Sequence, residues 1–208
     1  MRPSILGLVL AGGLARRMGG GDKARIRIGG KTILERVLAR LAPQCTAIIL
    51  NANGDPARFG DTGLPVVPDT VPDFAGPLAG ILAGLDWAAA HAPEVADVVS
   101  VPGDCPFLPP DLVSRLTARP AGSRPSARLR ALRRMAASRG RRRGRWVCGA
   151  ICATRWSRKT CARSRAWTAR HGVAIADWPP APFDPFFNVN TPEDAAEAER
   201  IAAQQCDL

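Results

Sequence analysis

Residues 5–41 read ILGLVLAGGLARRMGGGDKARIRIGGKTILERVLARL, and this stretch decides the fold. It opens on an apolar run that reaches Ala11, Gly12 and Gly13 without polar alternation, the form of a strand buried on both faces of a parallel sheet. It closes on TILERVLARL, with apolar residues at 33, 34, 37, 38 and 41, Thr32 as N-cap, Glu35 three residues on and Pro43 beyond the end; these are the marks of an amphipathic helix. Between the two lies a loop rich in glycine and cations. Small residues let backbone N–H groups approach a phosphate while Arg and Lys neutralise it, so a phosphate-binding loop is what this position invites.

The same alternation continues outward. TAIILNAN (46–53) and LPVVPD (64–69) read as strands, GPLAGILAGLDWAAAHA (76–92) as a second helix, and DVVSVPGDCPFLPPDLVSRL (97–116) as a fourth strand, a loop and a short helix. Strands alternating with helices predict an α/β fold, a doubly wound, mostly parallel, Rossmann-like sheet, and 208 residues suit a single domain of this kind. Ligands of such sheets sit beyond the carboxyl ends of the strands. Four segments fall there: 10–23, NAN at 51–53, PD at 68–69 with DFAGP following, and PGDCP at 102–106.

Composition narrows the setting. No run of about 18 apolar residues exists, and MRPSILGLVLAGG passes straight into the strand pattern, so neither a membrane span nor a signal peptide is expected and the location expected is cytoplasmic. The six cysteines, at 45, 105, 148, 152, 161 and 206, read as free thiols. A net charge of +11 ordinarily points to nucleic acid. Here 18 of the 29 Lys and Arg lie between Leu112 and Ala176, where no acid occurs, which leaves 11 basic against 18 acidic residues elsewhere. The rest of the chain is an ordinary acidic domain, and it is expected to be a monomer.

That middle segment, RPSARLRALRRMAASRGRRRGRWVCGAICATRWSRKTCARSR (124–165), has no sustained period. A basic nucleic-acid insert is one reading, although such arms are seldom rich in Cys and Trp. A metal site on Cys148, Cys152 and Cys161 is another, although the spacing is not a paired CxxC and the nearby imidazole is His171. The third reading, that residues 119–165 are translated out of frame from a GC-rich gene, accounts for Arg, Ala, Pro, Ser, Gly, Cys and Trp without acids. On this reading neither acids nor an apolar period remain there to build the later strands of the sheet.

Two familiar phosphate motifs fail. GGKT at 29–32 ends like a P-loop, but position 25 holds Arg where the first glycine belongs, and GGGDKA at 19–24 leads into RIRI rather than a helix. The pattern that fits is LAGGxxxRMGxxK, met as Leu10-Ala11-Gly12-Gly13, Arg17-Met18-Gly19 and Lys23 with one extra glycine in the stretch 19–21. With NAN, the aspartate after the third strand, GPLAG, GDCPFLPPDL and FFNVNTPED, the sequence resembles the molybdenum cofactor guanylyltransferases, the MobA family of nucleotidyltransferases. The resemblance covers 4 to about 116 and 166 to about 201 and omits 119–165.

The resemblance implies transfer of GMP from GTP to the molybdenum-molybdopterin cofactor with release of pyrophosphate, with Mg2+ as cofactor. GTP and molybdopterin are the implied substrates, and chaperones of molybdoenzymes the implied further partners. It implies that Leu10, Ala11 and Gly12 hold guanine and ribose through the backbone. It implies further that Arg17 and Lys23 lie along the triphosphate, that Asn51 and Asp69 bind nucleotide, and that Asp104 binds the metal. Arg17, Lys23 and Asp104 are then the catalytic set, and Asn188 and Asn190 face the molybdopterin side or the metal. LAGG together with NVNTPED favours GTP over CTP. The alternatives are a cytidylyl- or sugar-phosphate nucleotidyltransferase using the same loop, or a nucleic-acid-binding α/β protein acting through its Arg-rich centre. Plainer roles are expected elsewhere: surface charge for Arg16, turn and cap for Asp73 and Asp111, packing for Cys105 and a core position for Trp87. Neither His91 nor His171 is expected to act as a base.

Overall fold

The computed structural model describes residues 4–12, 23–70, 76–118, 145–148, 176 and 178–206. Along the chain come β1 (Ile5–Leu10), β2 (Arg27–Ile28), β3 (Lys31–Thr32), α1 (Ile33–Leu41), β4 (Ala47–Asn51), β5 (Val66–Val67), α2 (Pro77–His91), β6 (Asp97–Pro102), α3 (Leu112–Thr117), β7 (Arg145–Cys148) and α4 (Pro192–Cys206). Five strands form one sheet in the order β5-β4-β1-β6-β7, and every pairing in it is parallel.

β1 lies at the centre, with Leu6 level with Ala47 of β4 on one side and with Val98 of β6 on the other. Side chains of a strand alternate between faces, and β1 uses both. Ile5 and Val9 join a core with α1, α3 and α4, while Leu6 and Leu8, both fully buried, join a second core with α2. Continuous apolarity is what a strand needs when both its faces are covered. α1 begins as its sequence predicts: the Thr32 hydroxyl accepts from the Glu35 N–H at 3.1 Å, and the Glu35 carboxylate accepts from the Thr32 N–H at 2.6 Å, a reciprocal cap. Hydrogen bonds donated to it by Thr32, from the backbone N–H first and the side chain second, hold the exposed Glu35 carboxyl below its ordinary pKa.

GGKT belongs to a hairpin. β2 and β3 pair antiparallel across Gly29 and Gly30, whose φ values of 55° and 78° lie in the left-handed region that a two-residue turn of this kind requires. The expectation that residues 119–165 hold nothing to build a strand is corrected at one place, because Arg145–Cys148 pairs with β6 from Asp97 to Ser100. Strand pairing uses backbone groups, and four residues that include Trp146 and Val147 suit it. The rest of 119–165 lies outside the described residues. Trp87 is half-buried at the rim of the α2 core and stacks on His91, with ring centroids 4.9 Å apart, rather than lying inside.

After β5 the chain crosses through α2 to enter β6 on the far side of β1. This reversal places the switch point between β1 and β6, the place beyond the carboxyl ends of the strands where sheets of this kind bind their ligands. No helix among the described residues is long and apolar enough to cross a membrane.

Candidate active site

The turn after β6 meets the turn after β1 through backbone alone: the Gly103 N–H donates to the Leu10 carbonyl at 2.9 Å. A Cβ on Gly103 would lie 2.9 Å from that carbonyl oxygen and 3.1 Å from the Ala11 Cα, so only glycine allows the approach. The next residue, Asp104, carries the centre of the site. Its Oδ2 accepts from the Lys23 ammonium at 2.6 Å and its Oδ1 from the Asn188 amide at 2.7 Å. Lys23 also donates to the Asn190 Oδ1 at 2.6 Å. The ion pair is largely withdrawn from water, its side chains 12% and 22% exposed. Asp104 and Asn190 thus aim one oxygen each at a single cation.

FNVN reaches this point by the two-residue period of extended chain. Asn188 and Asn190 turn to the same side while Val189 is fully buried on the other. The Val189 N–H donates to the Asp104 carbonyl at 3.0 Å, and the Cys105 thiol donates to the Phe186 carbonyl at 3.5 Å. Burial pushes that thiol well above its ordinary pKa, so Cys105 packs and pairs rather than reacts. Beyond FNVN, the Asp194 carboxylate accepts from the Asn190 and Thr191 N–H groups at 2.9 and 3.1 Å and so ties the segment to the start of α4.

A second cluster stands at the ends of β4 and β5. The Asn51 amide donates to the Val67 carbonyl and to the Asp69 Oδ1, both at 3.0 Å. Asn53 donates to the Asp69 Oδ2 at 2.8 Å and accepts from the Asp69 N–H at 2.8 Å. Asp69 therefore holds a carboxylate gripped by two neutral amides. Leu10, Ala11 and Gly12 run between this cluster and Asp104, with the Ala11 N–H on the Asn51 carbonyl at 2.9 Å.

The structure thus brings together Lys23, Asp104, Asn188 and Asn190, and beside them Leu10, Ala11, Gly12, Asn51 and Asp69. Arg17 lies outside the described residues, as do Arg16, Asp73, His171, Cys152 and Cys161. Asp111 stands at the N-cap position of α3, but its side chain makes no cap there. It accepts instead from the Trp178 indole at 2.8 Å and from Arg115 at 2.6 Å. His91, exposed at the far end of α2, bonds the Trp87 carbonyl. No group of three or more His, Cys, Asp and Glu suited to a metal occurs among the described residues. Sequence reasoning did not single out Asn53, Gly80 or Asp194. The NAN repeat of an amide two residues on, and the TPED cap, were the signals for the first and last.

Fold and site together define a nucleotidyltransferase of the α/β type, its loops gathered where the strand order reverses. A family model described as the MobA-like NTP transferase domain matches residues 7–174. The chain belongs to that family. It is 53% identical over 207 residues to a protein of Bradyrhizobium sp. (strain ORS 278) called molybdenum cofactor guanylyltransferase, covering 97% of this chain and 95% of the relative. A protein of the same name from Rhodopseudomonas palustris (strain BisB5) is also 53% identical over 207 residues, covering 96% and 95%. Among solved structures, molybdopterin-guanine dinucleotide biosynthesis protein A from Archaeoglobus fulgidus matches with a TM-score of 0.52 at 19% identity, covering 96% of this chain and 99% of that one. At that identity the likeness is one of fold.

Proposed function

We propose that this chain transfers GMP from GTP to the molybdenum-molybdopterin cofactor and releases pyrophosphate. The observation that carries the reading is the convergence of Lys23, Asp104 and Asn190 at the switch point, within reach of the backbone of Leu10, Ala11 and Gly12. The terminal phosphate of molybdopterin attacks the α-phosphorus of GTP, a new P–O bond forms, and the bond to the β-phosphate oxygen breaks. Such a reaction asks for positioning and charge neutralisation rather than covalent help from the protein. Lys23 lies along the triphosphate, the role the sequence also gives Arg17, while Asn51 and Asp69 form the nucleotide side with residues 10–12. The attacking phosphate is already ionised, so no base is needed, in keeping with His91 at the opposite end of α2.

The donor set suits Mg2+, which takes one or two carboxylates and completes its shell with phosphate oxygens and water. Asp104 and Asn190 already direct two oxygens at one positive charge, that of the Lys23 ammonium. These two residues would hold the ion, and when bound it would neutralise charge on the reacting phosphates. Asn188 keeps the Asp104 carboxylate oriented and turns FNVN toward the molybdopterin side. The protein works as a cytoplasmic monomer on these small-molecule substrates, and chaperones of molybdoenzymes take its product.

Thermal protection tests the nucleotide, because a ligand that binds only the folded state stabilises it by about 2.7 kcal/mol at a hundred times its Kd. GTP with Mg2+ is expected to raise Tm more than CTP, ATP or UTP at equal concentration. Equal or greater protection by CTP overturns the guanylyl reading in favour of a cytidylyl one.

A further inference from the structure

Lys23 sits between two oxygens that also suit a divalent ion. Its ammonium is 2.6 Å from the Asp104 Oδ2 and 2.6 Å from the Asn190 Oδ1. The remaining carboxylate oxygen is already engaged: Oδ1 accepts from the Asn188 amide at 2.7 Å, with the Cys105 thiol 3.9 Å away. Mg2+ holds its oxygen ligands at about 2.0–2.1 Å, so an ion shared by these two oxygens falls on the space that the Nζ atom fills. Two cations so close repel strongly, and water screens them weakly where the Lys23 and Asp104 side chains are only 12% and 22% exposed. The pair of oxygens serves one cation at a time.

We propose that Lys23 is an exchangeable internal cation: its ammonium keeps the metal position until a triphosphate draws it away, so that the chain refuses free divalent metal and admits metal with nucleotide. The inference rests on the guanylyl-transfer reading, in which Lys23 serves the triphosphate while Asp104 and Asn190 hold the ion. Lysine suits the exchange, since its charge is compact and rides on a flexible stem. The movement is one of side chain alone. Ala24 beside it is buried and the Lys23 carbonyl accepts from the Ile26 N–H at 3.3 Å, which fixes the backbone. Asn188 and the Val189 N–H hold Asp104 in place from the other side. Asp104 is paired with a cation before and after the exchange, so the cost of a withdrawn, unpaired carboxylate does not arise. Coupling of this kind is reciprocal: nucleotide tightens metal by the factor by which metal tightens nucleotide.

Binding of Mn2+ alone to the full chain, read by electron paramagnetic resonance, tests this. Lys23→Met keeps the length of the side chain and removes its charge, and it is expected to bind Mn2+ without nucleotide at least tenfold more tightly than the wild type. A variant that merely damages the site binds metal more weakly, so the direction of the change is diagnostic. Adding Asp104→Asn to Lys23→Met abolishes the gain. Mg2+ alone raises the Tm of Lys23→Met and leaves that of the wild type unchanged at the same concentration. Lys23→Gln, a neutral polar replacement that keeps the test open if the methionine variant fails to fold, shifts Mn2+ binding in the same direction. A variant that binds Mn2+ no more tightly than the wild type, or a gain that survives Asp104→Asn, overturns the proposal. A wild-type chain whose Tm rises with CTP and not with GTP overturns the guanylyl reading itself, a result separate from how the variants take up Mn2+.

Discussion

At the scale of single residues the site rests on Asp104. Asp104→Asn keeps the shape of the side chain but replaces an oxygen anion beside Lys23 with a neutral amide, so the pair loses its charge complement. Guanylyl transfer is expected to fall about a hundredfold or more, the order seen when one preorganised electrostatic group is removed from a site. Tm should move by only a few degrees, because the fold places Asp104 through backbone bonds to Val189 and through Gly103. Turnover near wild type at saturating Mg2+ would refute the role given to it. Lys23, Asp104, Asn188 and Asn190 were legible in the sequence because each stands in a motif with its own spacing. The way they meet was not, since Lys23 and Asn190 are 167 residues apart and no local pattern reports such a pairing.

At the scale of elements, apolar continuity announced β1, β4 and β6, and capping chemistry announced α1. The short β2–β3 hairpin and β7 escaped notice because so few residues carry no detectable period. The segment leading to FNVN is fastened to α3 by Trp178, whose indole bonds Asp111 and whose ring meets Phe186 edge-on, with centroids 5.2 Å apart. The Trp178 hydrogen bond, with help from Arg115, holds the Asp111 carboxyl below its ordinary value of 3.8. A carboxyl with a depressed folded pKa adds stability above its unfolded pKa and loses it as the pH falls through the folded value. Trp178→Phe removes the donor, so the Tm gap between wild type and variant is expected to be wider at pH 6 than at pH 2. A gap that stays constant with pH would mean that Trp178 contributes packing alone.

At the scale of the whole molecule, we propose that the acid-free stretch at 119–165 limits how well the chain works. We read it as out of frame, and restoring the frame across those codons is expected to raise both Tm and guanylyl transfer, because acids and an apolar period would return to the centre of the chain. An unchanged Tm and turnover, or gene sequencing that leaves the frame as it stands, would make the Arg-rich stretch a native part of the enzyme. The two clusters of the site also differ in when they can form. Asn51 and Asp69 are 18 residues apart, and Lys23 and Asp104 are 81 apart. The amides of FNVN, and the Glu199 carboxylate that accepts from Gly29 across 170 residues, come from the end of the chain. Contacts of such separation are slow to close, and a ribosome delivers the N-terminal part first. The nucleotide side can therefore assemble on a nascent chain, while Asp104 and Lys23 wait for their amide partners until the final helix has emerged, so translation itself sets the order in which the two halves of the site mature.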